Sequence, residues 1–354
     1  MTFARAVPTS ERAANAARTM QPDTTPSSGV SPSAPPSSSP SAPASPPSPA
    51  APRSAAPPPP DPRSAAAHGT AIPTVALALG GGGARGLAHI HALEALDDLG
   101  IRPVAIAGSS IGAIMGAALA AGITGREMRE HALATFADRA ELAARLWRLR
   151  PATLGGLARD GLLRDAMRGA LRPGQIRLDR VMAAFLPELP ATFDELSIPL
   201  TVVTTDFYGH CERHITSGDL HSALAASATI PGIFRPVIRE GRVLVDGNVY
   251  NPCPFDLVHG RADLTIAIDV VGAPDGDPSL EPKTLDCLIG SNQLMMRSVI
   301  AGKLAANPPD VLIRPEAGVR ALDFHRAREV LDATAGVRDE VIAALASHGV
   351  RAAA

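Results

Sequence analysis

Three short stretches of this sequence carry residues that could do covalent chemistry. The first is Gly108-Ser109-Ser110-Ile111-Gly112, a serine with glycine two places before it and two places after. On a sharp strand-to-helix bend this pattern is a nucleophile elbow. Gly108 and Gly112 let neighbouring backbone pass close by, and the Ser110 hydroxyl stands clear of the sheet at the positive end of a helix. Ser109 competes as nucleophile only if the glycine symmetry is ignored. The second stretch is Gly81-Gly82-Gly83-Ala84-Arg85-Gly86, directly after an apolar run. Amides bare of side chains at the start of a helix bind a negative oxygen. The third, Asp246-Gly247-Asn248, puts a carboxylate on a turn. An alcohol, a carboxylate and a row of amides are the parts of acyl transfer: attack on a carbonyl, removal of the attacking proton, and a grip on the oxyanion.

Other chemistries fit less well. A dinucleotide loop needs an acid about 20 residues on, at the end of the next strand, where Ala107-Gly108-Ser109 stands instead. No Gly-Lys-Ser/Thr follows the glycines, which excludes a triphosphate loop. The order Ser110, Asp246 and then His259 or His325 would suit a histidine triad. That arrangement expects a His-Gly-Gly type oxyanion motif after another strand, and here Arg85 sits among glycines that follow the first. His89 and His91 point about 200° apart around a helix and cannot chelate together. His210, Cys211 and His214 lack a fourth ligand, so no metal is expected. Asp206, at a strand end, is the rival acid and ranks below Asp246. The chain has two lysines, Lys283 and Lys303, neither in a Ser-x-x-Lys arrangement. The other basic residues are arginines, which stay protonated and cannot act as bases.

The elements that must position these groups are legible as apolar runs. Val75–Leu79, Val104–Ala107, Pro199–Thr204, Leu264–Val270 and Asp310–Ile313 read as buried strands, each separated from the next by helical patterns or turns. Leu87, Ile90, Leu93, Leu96 and Leu99 recur at helical spacing, and Gly100-Ile101 reads as a left-handed cap with its hydrophobic contact. A small-residue helix follows Gly112 through Ala121. Thr124 and Glu127 form a capping box for a helix running to about Arg150, where Pro151 stops it. Val237–Val245 reads as a hairpin turning at Glu240-Gly241 and delivering Asp246 to a loop. The fold class is α/β, a mostly parallel sheet with helices on both faces.

Composition sets the boundaries. Eighteen of the 34 prolines fall in residues 1–73, a Ser/Pro/Ala-rich tail too poor in large apolar side chains to offset its ordering entropy. The folded domain is therefore expected over 74–350, with a helical, Arg-rich insertion at about 124–190. Between Arg139 and Arg180 ten arginines stand against four acids, which reads either as a solvated helical face or as a basic surface that docks on anionic lipid or phosphate head groups. A net charge of -2 rules out the global footprint of a nucleic-acid binder. Three cysteines form no disulfide framework. With no secretory signal at Met1–Ser10, and no apolar run near the roughly 20 residues of a membrane span, the expected place is the cytoplasm, with peripheral contact at the inner membrane surface.

In this order the three motifs resemble those of the patatin-like phospholipases, G-G-G-x-R/K-G, G-x-S-x-G and D-G-G/A. The resemblance runs from about Val75 to Gly336. Ser227-Ala-Thr-Ile-Pro-Gly-Ile-Phe234 and Asp323-Phe324 are similar to stretches of the bacterial members. It departs at Asn248, where Gly or Ala is usual. It implies a three-layer fold, Ser110 as nucleophile and Asp246 as its sole catalytic partner. It also implies an oxyanion site from Gly81, Gly82, Gly83 and Arg85, and structural glycines at Gly86, Gly108, Gly112 and Gly247. No cofactor or metal is implied, and the substrate is a phospholipid or lysophospholipid cleaved through an acyl-enzyme. An ordinary Asp pKa of about 3.9 makes a poor base, so burial without a cation must raise it. The competing reading is a catalytically silent lipid-binding or regulatory module.

Overall fold

Val75-Ala-Leu-Ala-Leu79 has no polar side chain, so a strand of this sequence is stable only with both faces covered. In the computed structural model, which describes residues 73–136, 188–274, 277 and 279–350, this strand (β1, Val75–Leu79) is fully buried at mid-sheet. It pairs in parallel with β2 (Ala105–Ser109) on one side and β7 (Leu264–Ile268) on the other, and β7 pairs in parallel with β8 (Val311–Ile313). Beyond β2, β3 (Leu200–Asp206) continues the parallel run. β3 also pairs antiparallel with β4 (Cys211–Ile215) and with β6 (Arg242–Asp246), whose hairpin partner β5 (Val237–Arg239) forms the end of the sheet. The mostly parallel α/β sheet is as expected. The tail through residue 72 and the basic stretch Arg139–Arg180 lie outside the described residues.

Side-chain alternation divides the sheet into two unlike faces. Leu77, Leu79, Ile106, Val202, Ile266 and Ile268 share one buried cluster with helices α1 (His89–Asp98), α2 (Ile111–Ala120) and α4 (Leu220–Ser227). Ala76, Ala78, Ala105, Ala107 and Ala267 share the other with Phe255 and with Met296 and Ile300 of α5 (Thr284–Ala306). Between α2 and α4 lies α3 (Gly125–Phe136), and the chain closes with α6 (Ala327–Ala333) and α7 (Val337–Ser347). The cap expected after α1 is present: Gly100 has φ 66°, its N–H reaches Asp97 O, and Ile101 N–H reaches Leu96 O. The Thr124–Glu127 capping box opens α3, which is described as far as Phe136; its expected run to Arg150 lies outside.

The register around β3 fixes where the chemistry sits. Thr204 pairs with both Arg213 and Asp246, so β4 and β6 hold opposite edges of β3. Val202 and Val203 pair with both β2 and β4, so β2 lies on the edge opposite β4. β2 and β6 therefore share one edge of β3, tip to tip. Ser109 ends one strand opposite Val203, and Asp246 ends the other opposite Thr204.

Candidate active site

Ser110 follows β2 with φ 54° and ψ -124°, a conformation that costs a serine about 1–3 kcal/mol and persists only where the surroundings impose it. They do so through contact. A Cβ on Gly112 would lie 2.1 Å from the Leu79 carbonyl oxygen, and one on Gly108 would lie 2.5 Å from Ala113 Cα. Neither place admits a side chain, and the bend closes against α2. The Ser110 amide donates to Ser227 Oγ at 2.9 Å, tying the elbow to the end of α4.

From there the Ser110 hydroxyl donates directly to Asp246 Oδ2 at 2.9 Å, across 136 residues of sequence. The Asn248 amide donates to Asp246 Oδ1, also at 2.9 Å. Both side chains are enclosed, Ser110 at 4% and Asp246 at 3% exposure. Burial pushes the Asp246 carboxyl up to about 7, against the opposite pull of the Asn248 amide and the Ser110 hydroxyl. Thr205 Oγ1 donates to the Asp246 carbonyl, and the Asp246 amide donates to Thr229 O, so the backbone of the acid is held at both ends.

The glycine loop follows β1, the strand beside β2, and Gly81 lies against the Asn248 side chain. The Gly81 amide is committed to Pro252 O at 2.8 Å and that of Ala84 to Ala321 O at 2.7 Å. Gly82 and Gly83 N–H have no acceptor among the described residues. The Gly81 amide, expected with those of Gly82 and Gly83 to face an oxyanion, is thus engaged within the fold. Arg85 is buried; Nη1 donates to Val319 O at 2.7 Å, and the guanidinium packs over Gly272, where a Cβ would lie 2.3 Å from Cζ. It braces the loop. His89, considered from sequence only as a ligand, donates Nε2–H to Gly80 O at 2.8 Å. Its burial drops its pKa to about 4, so the ring is neutral and serves as a second brace. The only sequence signal for this was its place just after the glycine loop.

The rival groups are engaged elsewhere. Asp206 Oδ2 takes Arg242 Nη1 at 2.6 Å and Oδ1 takes the Gly209 amide at 2.8 Å; both bonds hold its carboxyl below the usual carboxylate range. A triad sets a histidine between serine and acid. Here hydroxyl and carboxylate meet directly, and His259 is exposed. His91 reaches Leu331 O, and His214 pairs with Glu212. No cluster of three metal-ligating side chains is found among the described residues.

The family model for patatin-like phospholipase matches residues 77–259. An uncharacterised NTE family protein of Mycobacterium tuberculosis is 33% identical over 234 residues, 64% of this chain and 59% of that protein. The neuropathy target esterase sws of Drosophila melanogaster is 30% identical over 58% of this chain and 13% of its own length. The human patatin-like phospholipase domain-containing protein 6 is 31% identical over 58% of this chain and 14% of its own. The chain thus spans about six-tenths of the first and about one-seventh of the others. Among solved structures, VipD from Legionella pneumophila superposes with TM-score 0.39 and 14% identity over 76% of this chain and 67% of that one, too loosely to carry an argument.

Proposed function

This chain belongs to the patatin-like phospholipase family, and on that premise we propose that it is a serine lipid acyl hydrolase. In this reading it cleaves phospholipid or lysophospholipid acyl esters with Ser110 and Asp246 as a two-residue machine. The observation that carries the reading is the direct 2.9 Å bond from the Ser110 hydroxyl to a buried carboxylate raised to about 7. A base works best with its pKa near the working pH, and an Asp at its ordinary value would return the proton before the attack was complete.

The proposed steps use only the groups described above. Ser110 Oγ bonds to the ester carbonyl carbon as Asp246 Oδ2 takes its proton. The oxyanion that forms is held by the Gly82 and Gly83 amides, each donor of this kind contributing about 3 kcal/mol. Collapse of the tetrahedral intermediate breaks the bond to the alcohol, which leaves with the proton from Asp246. Water then attacks the acyl-Ser110 ester with the same carboxylate as base, releasing the fatty acid and restoring the hydroxyl.

Covalent tagging tests this. A fluorophosphonate should label the wild type on Ser110 and leave Ser110→Ala unlabelled, with ester hydrolysis lost in the same variant. An unlabelled, inactive wild type would favour the silent lipid-binding module. No helix among the described residues is long and apolar enough to cross a membrane. Contact with lipid is proposed to run through the basic stretch Arg139–Arg180. Tighter binding to anionic than to zwitterionic vesicles, weakening with salt, is the expected result; equal binding to both would remove that part.

A further inference from the structure

Asn248 stands where the third motif usually carries Gly or Ala, and its side chain is not idle. The carboxamide oxygen accepts the Ser109 hydroxyl at 2.9 Å. Ser109 is fully buried and immediately precedes the nucleophile. The same carboxamide lies against Gly81, where a Cβ would be 2.0 Å from Oδ1 and 2.3 Å from Nδ2. Gly81 in turn precedes the two amides left open for an oxyanion. The backbone of the same residue holds Asp246 Oδ1. One residue therefore touches the strand that carries the nucleophile, the loop that carries the oxyanion donors, and the base.

We propose that the Asn248 side chain is a positioning clamp that sets the distance between the Ser110 elbow and the glycine loop. The proposal rests on the hydrolase reading and deepens it. Gly or Ala at 248 would keep the amide bond to Asp246, which any residue supplies. It would leave the buried Ser109 hydroxyl without its acceptor and open a space beside Gly81. The loop would then settle toward that space, carrying Gly82 and Gly83 away from the point where negative charge develops. Catalytic geometry is sensitive to such movement, about 1 Å of misplacement costing on the order of 10²-fold.

The test uses the full chain and a soluble short-chain ester, with Asn248→Gly, Asn248→Ala, Ser109→Ala and the Asn248→Ala/Ser109→Ala double variant. In each single variant kcat should fall about 10- to 100-fold with KM nearly unchanged. Fluorophosphonate labelling should slow in parallel, because phosphonylation builds its own oxyanion at the same amides. The double variant should be no worse than the poorer single one, since both remove the same clamp. The pH midpoint of kcat should stay at the wild-type value, because the amide still holds Asp246. Wild-type kcat and labelling rate in Asn248→Gly, or losses that multiply in the double variant, would overturn the clamp. If Asn248→Gly fails to fold, Ser109→Ala decides: it removes only the hydroxyl and must show the same loss in kcat. An inert, unlabelled wild type would bring down the hydrolase reading and the clamp together, whereas wild-type kinetics in the variants would bring down the clamp alone.

Discussion

Asp206 and Asp246 sit on neighbouring antiparallel strands, two registers apart, and are almost equally enclosed, at 2% and 3% exposure. Arg242 and the Gly209 amide hold the first below the usual carboxylate range, and it closes the turn after β3 as a carboxylate paired with Arg242. The second has a hydroxyl and one amide as its donors and no cation among the described residues, and burial lifts it to about 7. Low exposure is common to both, but desolvation is not: Asp206 lies beneath the exposed Arg242, whose bond is the largest influence on it, whereas burial is the largest influence on Asp246. That contrast is the one expected if Asp206 is structural and Asp246 is the base of the proposed scheme.

Substitution should separate the two acids most sharply in turnover. Asp246→Asn is expected to reduce kcat on the order of 10⁴-fold, while Asp206→Asn keeps kcat near wild type. Equal damage would restore Asp206 as the working acid. In the wild type kcat/KM should climb as pH rises through about 7, where Asp246 loses its proton.

Stability should separate them next, with opposite signs. Asp246 has a folded pKa above its unfolded value, so its contribution is complete below about 3.8 and is lost as pH rises through about 7. Asp246→Asn should therefore be more stable than the wild type at pH 8.5, by up to about 4 kcal/mol, and should lose that advantage near pH 4. Asp206 has a depressed folded pKa, so its contribution is present above the unfolded value and is lost as pH falls through the folded one. Asp206→Asn should be destabilised at neutral pH and less so in acid. Denaturant titrations at the two pH values check both signs. The smallest effect is expected at histidine: His259→Ala and His325→Ala should leave kcat unchanged, and a loss there rivalling Asp246→Asn would replace the two-residue scheme with a triad.

Much of this was legible from residue order because the parts are local. A glycine run, a G-x-S-x-G pentapeptide and five apolar stretches each announce themselves within a few residues. What residue order does not reveal depends on distant partners. Cys211-Glu-Arg-His-Ile215 has no apolar alternation, yet it forms β4 because the open edge of β3 supplies backbone bonds that any sequence can use. The use of the Gly81 amide depends on Pro252, and the neutral ring of His89 depends on burial that spacing alone does not reveal. Asn248 reads in the sequence as a departure from the motif; only its contact with Ser109 and Gly81 gives it work.

The tip-to-tip meeting of β2 and β6 along β3 also orders the assembly of the site in time. During translation the alcohol leaves the ribosome long before the acid, and the strand that brings them together is made in between. A nascent chain ending before Asp246 has Ser110 without the carboxylate it donates to, so under the proposed scheme the pair exists only once the late, long-range pairing is made.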